Sequence, residues 1–211
     1  MTDRKDLAVK TDLKKTIPSY AAKSGRFDII DIPPMRYLAI DAEGAPEGEN
    51  FAEALSVLFP LAYAVKFGSR AHLGYDYVVP PLEALWWADD MSAFTTAYDR
   101  SAWRSTALSL LPDWVTDDVL DAAREKVAEK LPRALVERVR AEVMHEGVCG
   151  QTLHVGSFDT EGPTIQALHR ALVDAGMTLS GKHHEIYLSD MRRVVPATLN
   201  TIVRQGGTPA T

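Results

Sequence analysis

Apolar and polar residues alternate over residues 27–32 and again over residues 35–42, and this period of two predicts two strands. Pro33 and Pro34 separate the two runs, because proline cannot donate to the ladder of a sheet. Residues 51–67 then repeat apolar side chains at helical spacing, which predicts an amphipathic helix. The chain therefore opens as strand, strand and helix.

Three further strands are predicted at about residues 75–80, 82–88 and 103–111, with a connector over residues 91–98. The strongest helical pattern follows at residues 113–143, where Pro132 should divide it into two helices. Its charges alternate in sign, which is typical of a solvated face. We interpret residues 113–146 as a bridge between two halves of the chain.

After this bridge the first pattern returns. It comprises a strand at 151–155, a loop at 159–163, a helix at 164–175 closed by Gly176, and strands at about 184–189 and 199–204. A Glu-Gly pair precedes the helix in both halves, as Glu47-Gly48 and as Glu161-Gly162. The repeat predicts an α+β fold of two pseudo-symmetric strand-helix-strand-strand modules, with helices on one side of an antiparallel sheet and a central cleft.

The expected boundaries follow from this repeat. Residues 1–25 are polar and rich in lysine, and we expect a flexible lead-in with one short docked piece at about 17–20. A single domain should span residues 26–207, with module one at about 27–112 and module two at about 147–205.

Composition excludes several classes of function. The 211 residues are 46% hydrophobic and 25% charged, as in ordinary globular proteins, and the net charge is -6. An acidic chain lacks the cations that neutralise phosphates, so nucleic acid is not the expected partner. Cys149 is the one cysteine and cannot form an internal disulfide. With no visible signal peptide or membrane-spanning run, we expect a cytoplasmic protein without membrane association.

Each half delivers a carboxylate into an aromatic strand, and these are the main candidates for chemistry. Because side chains alternate along a strand, Glu83 shares a face with Trp87, and Glu185 shares a face with Tyr187. A carboxylate beside aromatic rings suits a lipophilic cation or a flat aromatic guest. Adjacent Trp86 and Trp87 should point to opposite faces, and the parity of Glu83 favours Trp87 for the cleft, although a bulge would reverse this.

Four other aromatic residues are either walls of this pocket or parts of a core, and the sequence leaves both readings open. Tyr63 and Phe67 lie four apart on the predicted helix and so share one face. Tyr77 and Trp103 lie in predicted strands near the presumed cleft.

The sequence contains little that indicates a metal or cofactor site. The imidazoles of His183 and His184 diverge on a strand, and no third ligand has suitable spacing, so no metal is expected. The sequence has no Gly-x-Ser-x-Gly elbow, phosphate-binding loop or dinucleotide fingerprint, and we expect no cofactor.

Three stretches carry a resemblance to a known family. They are Pro33-Pro34-Met35-Arg36-Tyr37-Leu38, the run from Val78 to Trp87, and the run from His184 to Arg193, in which Met191 stands where proline is expected. The chain resembles the GyrI-like small-molecule-binding family from about Phe27 to Gln205. No helix-turn-helix precedes residue 25, so it looks like a stand-alone member, similar to those that hydrolyse the cyclopropane ring of DNA-alkylating natural products.

The resemblance implies two tandem SHS2-like modules around a ligand cleft, and it places the family's ligand-sensing glutamate at Glu185. The first implied function is binding of lipophilic, aromatic, often cationic xenobiotics in an aromatic cage, with hydrolytic detoxification as an extension. The alternative is a hydrolase that opens a strained cyclopropane ring, with Glu185 or Glu83 acting on a water and Tyr63 on the leaving oxygen. A third reading is an inhibitor or partner protein of the gyrase-inhibitor type.

Overall fold

The computed structural model describes residues 10–94, 99–190 and 193–210. The end of the predicted connector at 95–98, and Met191 with Arg192 in the last family-like stretch, lie outside the described residues. The strands are β1 Asp28–Ile32, β2 Met35–Glu43, β3 Leu82–Trp87, β4 Arg104–Leu111, β5 Arg140–Met144, β6 Gly147–Val155, β7 Met177–Tyr187 and β8 Asn200–Pro209. The helices are α1 Leu13–Thr16, α2 Glu49–Gly68, α3 Asp117–Ala128, α4 Arg133–Glu137 and α5 Gly162–Asp174.

All eight strands form one antiparallel sheet in the order β1-β6-β8-β7-β3-β4-β2-β5. The order is symmetric about its centre, since β6-β8-β7 of one half mirrors β2-β4-β3 of the other. Each half is a strand, a helix and two strands, so the predicted pair of α+β modules is confirmed. At the centre of the sheet the modules join through the ladder between β3 and β7, where Ala84 pairs with Glu185 and Trp86 with His183, and at one edge β1 of module one pairs with β6 of module two.

Two apolar layers cover the two faces of the sheet. Helices α2, α3 and α4 bury one layer against β2, β3 and β4, and α5 lies on the same face over β6, β7 and β8. Gly150 lets α5 approach, because a Cβ there would stand 2.9 Å from the Leu172 side chain. Helix α2 with its following turn is apolar and long enough to cross a membrane, yet its inner side packs on the sheet as a core helix does.

The lead-in contributes the second layer. Leu13 and Tyr20 are buried on the opposite face of the sheet against Leu108, Ile186 and Ile202. We call residues 11–20 the N-terminal strap. It extends beyond the short docked piece expected from sequence, because Leu13 adds a second apolar anchor and Thr11 pairs with the backbone next to Tyr77.

Two predicted elements differ from the structure. Residues 75–80 form only an isolated bridge through Tyr77, because Pro80 and Pro81 cannot donate to a ladder. The helical pattern at 113–143 gives way to β5 at Arg140, which adds an edge strand to β2. This pairing overrides local helical preference, as tertiary context commonly does.

Beneath the strap lies a buried network of charges. Tyr20 donates a hydrogen bond to Glu83 Oε1, and Glu83 Oε2 lies 3.0 Å from His184 Nε2. The other imidazole nitrogen of His184 is 2.9 Å from Glu146 Oε1, and Arg204 donates to Glu146 Oε2 over 2.7 Å. Glu83, His184 and Arg204 are fully buried, so each charge depends on its partners.

The charged partners in this network together shift the pKa values of His184 and Glu146 more than burial does. Burial alone would lower the pKa of His184, but Glu146 and Glu83 raise it to about 9. Burial would raise the pKa of Glu146, but His184 and Arg204 lower it to about 2. The network thus sets two acidic side chains, Glu83 and Glu146, against two basic ones, His184 and Arg204.

Replacing Glu83 by glutamine should destabilise the fold by about 3 to 5 kcal/mol, because it leaves buried positive charge without its counterion. Urea denaturation of the purified variant measures this. The control is Glu53→Gln, which breaks an exposed pair with Arg138 and should change stability little. Equal stability of Glu83→Gln and the wild type would show that the network does not hold the strap and sheet together.

Candidate functional site at the junction of the modules

The β3–β7 ladder sets which side chains meet on the helix-covered face. Since Ala84 pairs with Glu185 and Trp86 with His183, these four positions share that face, together with Tyr187 two residues beyond Glu185. The residues between them, including Glu83 and His184, point to the opposite face and belong to the charge network there. The β3–β7 pair therefore carries a separate polar cluster on each face of the sheet.

Aromatic rings surround this junction. Phe51 of α2 packs on Trp86 with ring centroids 5.3 Å apart, and Trp103 meets Trp86 edge-on at 6.2 Å. Phe94 stacks on Trp103 at 4.4 Å, and Phe158 meets Tyr187 edge-on at 5.6 Å. We call these rings, with Trp86 and Tyr187, the aromatic cluster. Phe51, Trp86 and Tyr187 are buried in it, whereas Phe94, Trp103 and Phe158 are partly exposed.

A chain of hydrogen bonds orients Glu185. The Trp86 indole N–H donates to the Tyr187 hydroxyl over 3.0 Å, and that hydroxyl donates to Glu185 Oε2 over 2.7 Å. An indole only donates, so the Tyr187 hydrogen is free to point at the carboxylate. Burial, followed by the charge of Glu185, raises the pKa of Tyr187 well above its ordinary value. Tyr187 is therefore a permanent donor to Glu185.

Glu161 supplies a second carboxyl group at the same place. It ends the turn before α5, is 4% exposed, and lies beside the side chains of Thr201 and Glu185. Burial, followed by the charge of Glu185, raises the pKa of Glu161 to about 9. Two carboxylates in contact cannot both be ionised at neutral pH, so the pair holds one proton. The site combines a carboxylic acid with a carboxylate, which is an acid and a base together.

An acidic cavity of about 440 Å³ adjoins the aromatic cluster beyond Trp103. Glu43, Asp89, Asp90 and Asp99 contribute to its wall, and Arg104 is a cation of that wall, paired with Asp89. Among residues 10–94, 99–190 and 193–210, no group of three or more His, Cys, Asp or Glu side chains is placed to hold a metal ion.

The model of the GyrI-like small molecule binding domain matches residues 26–204. The chain belongs to the GyrI-like family. An uncharacterized conserved protein from Listeria innocua shares 35% identity, with a TM-score of 0.85 over 94% of this chain and 100% of the other. The structure of a hydrolase from Listeria innocua also shares 35% identity, with a TM-score of 0.81 and the same coverage.

A more distant relative shows the fold alone. The C-terminal domain of EcmrR is 11% identical, with a TM-score of 0.56 over 88% of this chain and 98% of that domain. No curated protein sequence matches the chain. The GyrI-like fold and a small-molecule-binding domain are therefore established for the chain, and its ligand is a separate question.

The structure of this GyrI-like protein brings together only part of the residue set expected from sequence. Glu185, Tyr187, Trp86 and Trp103 meet at the junction of the modules. Trp87 lies on the opposite face, where the Lys182 ammonium stands 3.1 Å above its ring. Trp86, and not Trp87, therefore lies on the face of Glu185, contrary to the expectation from sequence. No bulge in β3 causes this; the register pairs Glu185 with Ala84 and not with Glu83.

Four other expected residues lie elsewhere. Glu83 faces the charge network beneath the strap. Tyr63 and Phe67 are about half exposed on α2, with their rings 6.4 Å apart. Tyr77 is 1% exposed and packs against Trp114 in the core. The alternation of side chains along a single strand could not predict these positions, because they depend on which strands pair and in which register.

Two residues of the site were not singled out by the sequence. Glu161 was noted only as part of the repeated Glu-Gly pair. The first copy of that pair contains Glu47, which is exposed and pairs with Arg100. His183 was weighed only as a metal ligand, although it lies two residues from Glu185 and so shares its face. The two-residue spacing of His183 and Glu185 could have predicted their shared face from sequence. The burial of Glu161 could not be predicted in this way, because it depends on packing.

The proton held by Glu161 should make stability fall as pH rises. Its pKa in the folded protein, about 9, exceeds the ordinary value of 4.5. The contribution of this proton to stability is therefore complete below pH 4.5 and is lost as pH rises towards 9. Between these limits the wild type should lose about 1 kcal/mol per pH unit more than Glu161→Gln, which cannot titrate at this position.

Urea denaturation of both proteins across this pH range measures the difference. The His184 proton affects both proteins equally and cancels in the comparison. Parallel stability curves for wild type and variant would show that Glu161 is ionised at neutral pH.

Proposed function

We propose that this protein captures lipophilic aromatic small molecules at the aromatic cluster and hydrolyses a strained, electrophilic ring in them. The observation that supports this most is the Glu161–Glu185 pair, which places a neutral acid against a carboxylate base within a ring of aromatic side chains. A protein that only stored ligands would have no need for a proton at this position.

Binding would depend mainly on the rings. Trp103 and Phe158 are the partly exposed rings of the cluster that a guest would contact, and apolar burial against them would contribute about 25 cal/mol per Å² buried and accept many flat guests. The charge of Glu185 and the acidic wall of the neighbouring cavity favour guests with positive charge. The Glu185 side chain is 13% exposed, so water and ligand can reach it.

The chemistry follows from the unequal protonation of the pair. Glu185 takes a proton from a water whose oxygen attacks a ring carbon, and a ring bond of that same carbon, on the side away from the water, breaks. The electron pair of that bond passes to a conjugated oxygen of the ligand, and Glu161 donates its proton there. The pair again holds one proton, now on Glu185, and it returns to Glu161 within the pair. In this scheme Glu161 takes the role expected of Tyr63, and Glu185 acts on the water without Glu83.

Relatives support hydrolysis over capture alone. The Listeria innocua protein described as a hydrolase covers 94% of this chain at 35% identity. Capture without turnover is the second candidate, because the family domain is described by small-molecule binding and the aromatic cluster alone would serve it.

Replacing either glutamate of the pair by glutamine should reduce turnover about 100-fold or more, since each change removes the acid or the base. A sub-stoichiometric amount of protein is incubated with a cyclopropane-bearing DNA alkylator, and the water adduct is followed by mass spectrometry. Binding is followed separately by quenching of tryptophan fluorescence. Both variants should still bind.

The matched control is Glu47→Gln, the exposed counterpart of Glu161 in the first module, which should turn over as the wild type does. Wild-type turnover that neither Glu161→Gln nor Glu185→Gln slows would contradict the mechanism. Quenching without any product would establish capture alone.

A further inference from the structure

A histidine that the proposed mechanism does not use lies against its base. His183 Nε2 stands 3.3 Å from Glu185 Oε1, and the two side chains are 12% and 13% exposed. Within residues 10–94, 99–190 and 193–210, neither ring nitrogen of His183 has a fully aligned hydrogen-bond partner. A buried imidazole without another partner has one acceptor within reach, and that is Glu185.

Among the described residues, the other neighbours of His183 are uncharged strand partners and a second histidine. Its strand partners are Trp86 on β3 and Gln205 on β8, and neither carries charge. From α5 it faces His169, and burial, followed by the proximity of His183, lowers the pKa of His169. His169 is therefore neutral at pH 7 and does not compete for Glu185.

Donors are distributed unequally over the two carboxyl groups. Glu185 Oε2 accepts a hydrogen bond from Tyr187, and Glu185 Oε1 lies 3.3 Å from His183 Nε2. Glu161 lies beside Thr201, while its Oε1 is buried without a hydrogen-bond partner in the described part of the chain. Donors stabilise an ionised carboxylate, and their absence favours the neutral acid.

We propose that His183 is a positioning residue that donates from Nε2 to Glu185, and that it thereby confines the shared proton of the pair to Glu161. Without it, Tyr187 alone would distinguish the two carboxyl groups. A register irregularity in β7 ends directly before His183, where Gly181 has a φ of +69°, and regular pairing resumes at His183 with Gln205. Such irregularities commonly aim a side chain at a site.

This inference deepens the proposed function and rests on it for its catalytic meaning, but its structural claim can be tested without any substrate. Carbon-13 NMR of the glutamate carboxyl groups at pH 7 reports where the proton lies, with resonances assigned through Glu161→Gln and Glu185→Gln. In the wild type, Glu161 should show the chemical shift of a neutral acid and Glu185 that of a carboxylate. In His183→Phe the two resonances should move towards each other.

Two further variants define the role of the imidazole. His183→Gln retains an N–H donor and should preserve the wild-type separation of the two resonances. His145→Gln, at an exposed histidine away from the site, should do so too. If His183→Phe does not fold, His183→Leu provides the same comparison. Wild-type separation in the Phe or Leu variant would overturn the inference, and so would convergence in His183→Gln.

Turnover provides a second readout. His183→Phe should lower kcat about tenfold with KM unchanged, and His183→Gln should restore most of it. An unchanged kcat in His183→Phe would contradict the positioning role. If the wild type shows no turnover, the proposed function fails, while the NMR result still decides where the shared proton lies.

Discussion

The ladder between β3 and β7 is the interaction on which the rest of the molecule depends. It joins the two modules at the centre of the sheet, and it sends alternate side chains of both strands to opposite faces. One face receives Trp86, Glu185 and Tyr187, and the other receives Glu83 and His184. A slip of one residue would exchange these faces and place the charged network under the helices. Register is therefore a functional constraint as well as a structural one.

The two polar clusters of this ladder meet the penalty of burial in different ways. Beneath the strap, the carboxyl groups of Glu83 and Glu146 lie against the basic side chains of His184 and Arg204. Under the helices, burial and the charge of Glu185 raise the pKa of Glu161, and in the part of the chain that the structure describes no lysine or arginine forms an ion pair with either carboxyl group. The first arrangement pairs acidic with basic groups and suits architecture. The second leaves an acid and a base in contact, which suits proton transfer.

Much of the fold followed from sequence because it depends on local signals. The helical spacing of residues 51–67 and the alternation at 27–32 and 35–42 predicted α2, β1 and β2, and the repeated pattern predicted the two modules. The site followed only in part. Glu185 and Tyr187 lie on one strand, so their shared face was predictable, whereas the exclusion of Glu83 and Trp87 depends on the register of β3 against β7. Glu161 comes from a turn whose burial depends on how α5 packs, and no local pattern encodes that.

The central claim is that small molecules bind where the two modules join, against the aromatic cluster and the Glu161–Glu185 pair. A crystal structure of Glu185→Gln with an unreacted cyclopropane-bearing alkylator tests it most directly, because this variant should bind the compound without consuming it. The account predicts an aromatic part of the compound on Trp103 or Phe158 and its conjugated oxygen within hydrogen-bond distance of Glu161. A compound bound instead among the exposed rings of Tyr63 and Phe67, or only in the acidic cavity beside Asp89, would contradict it.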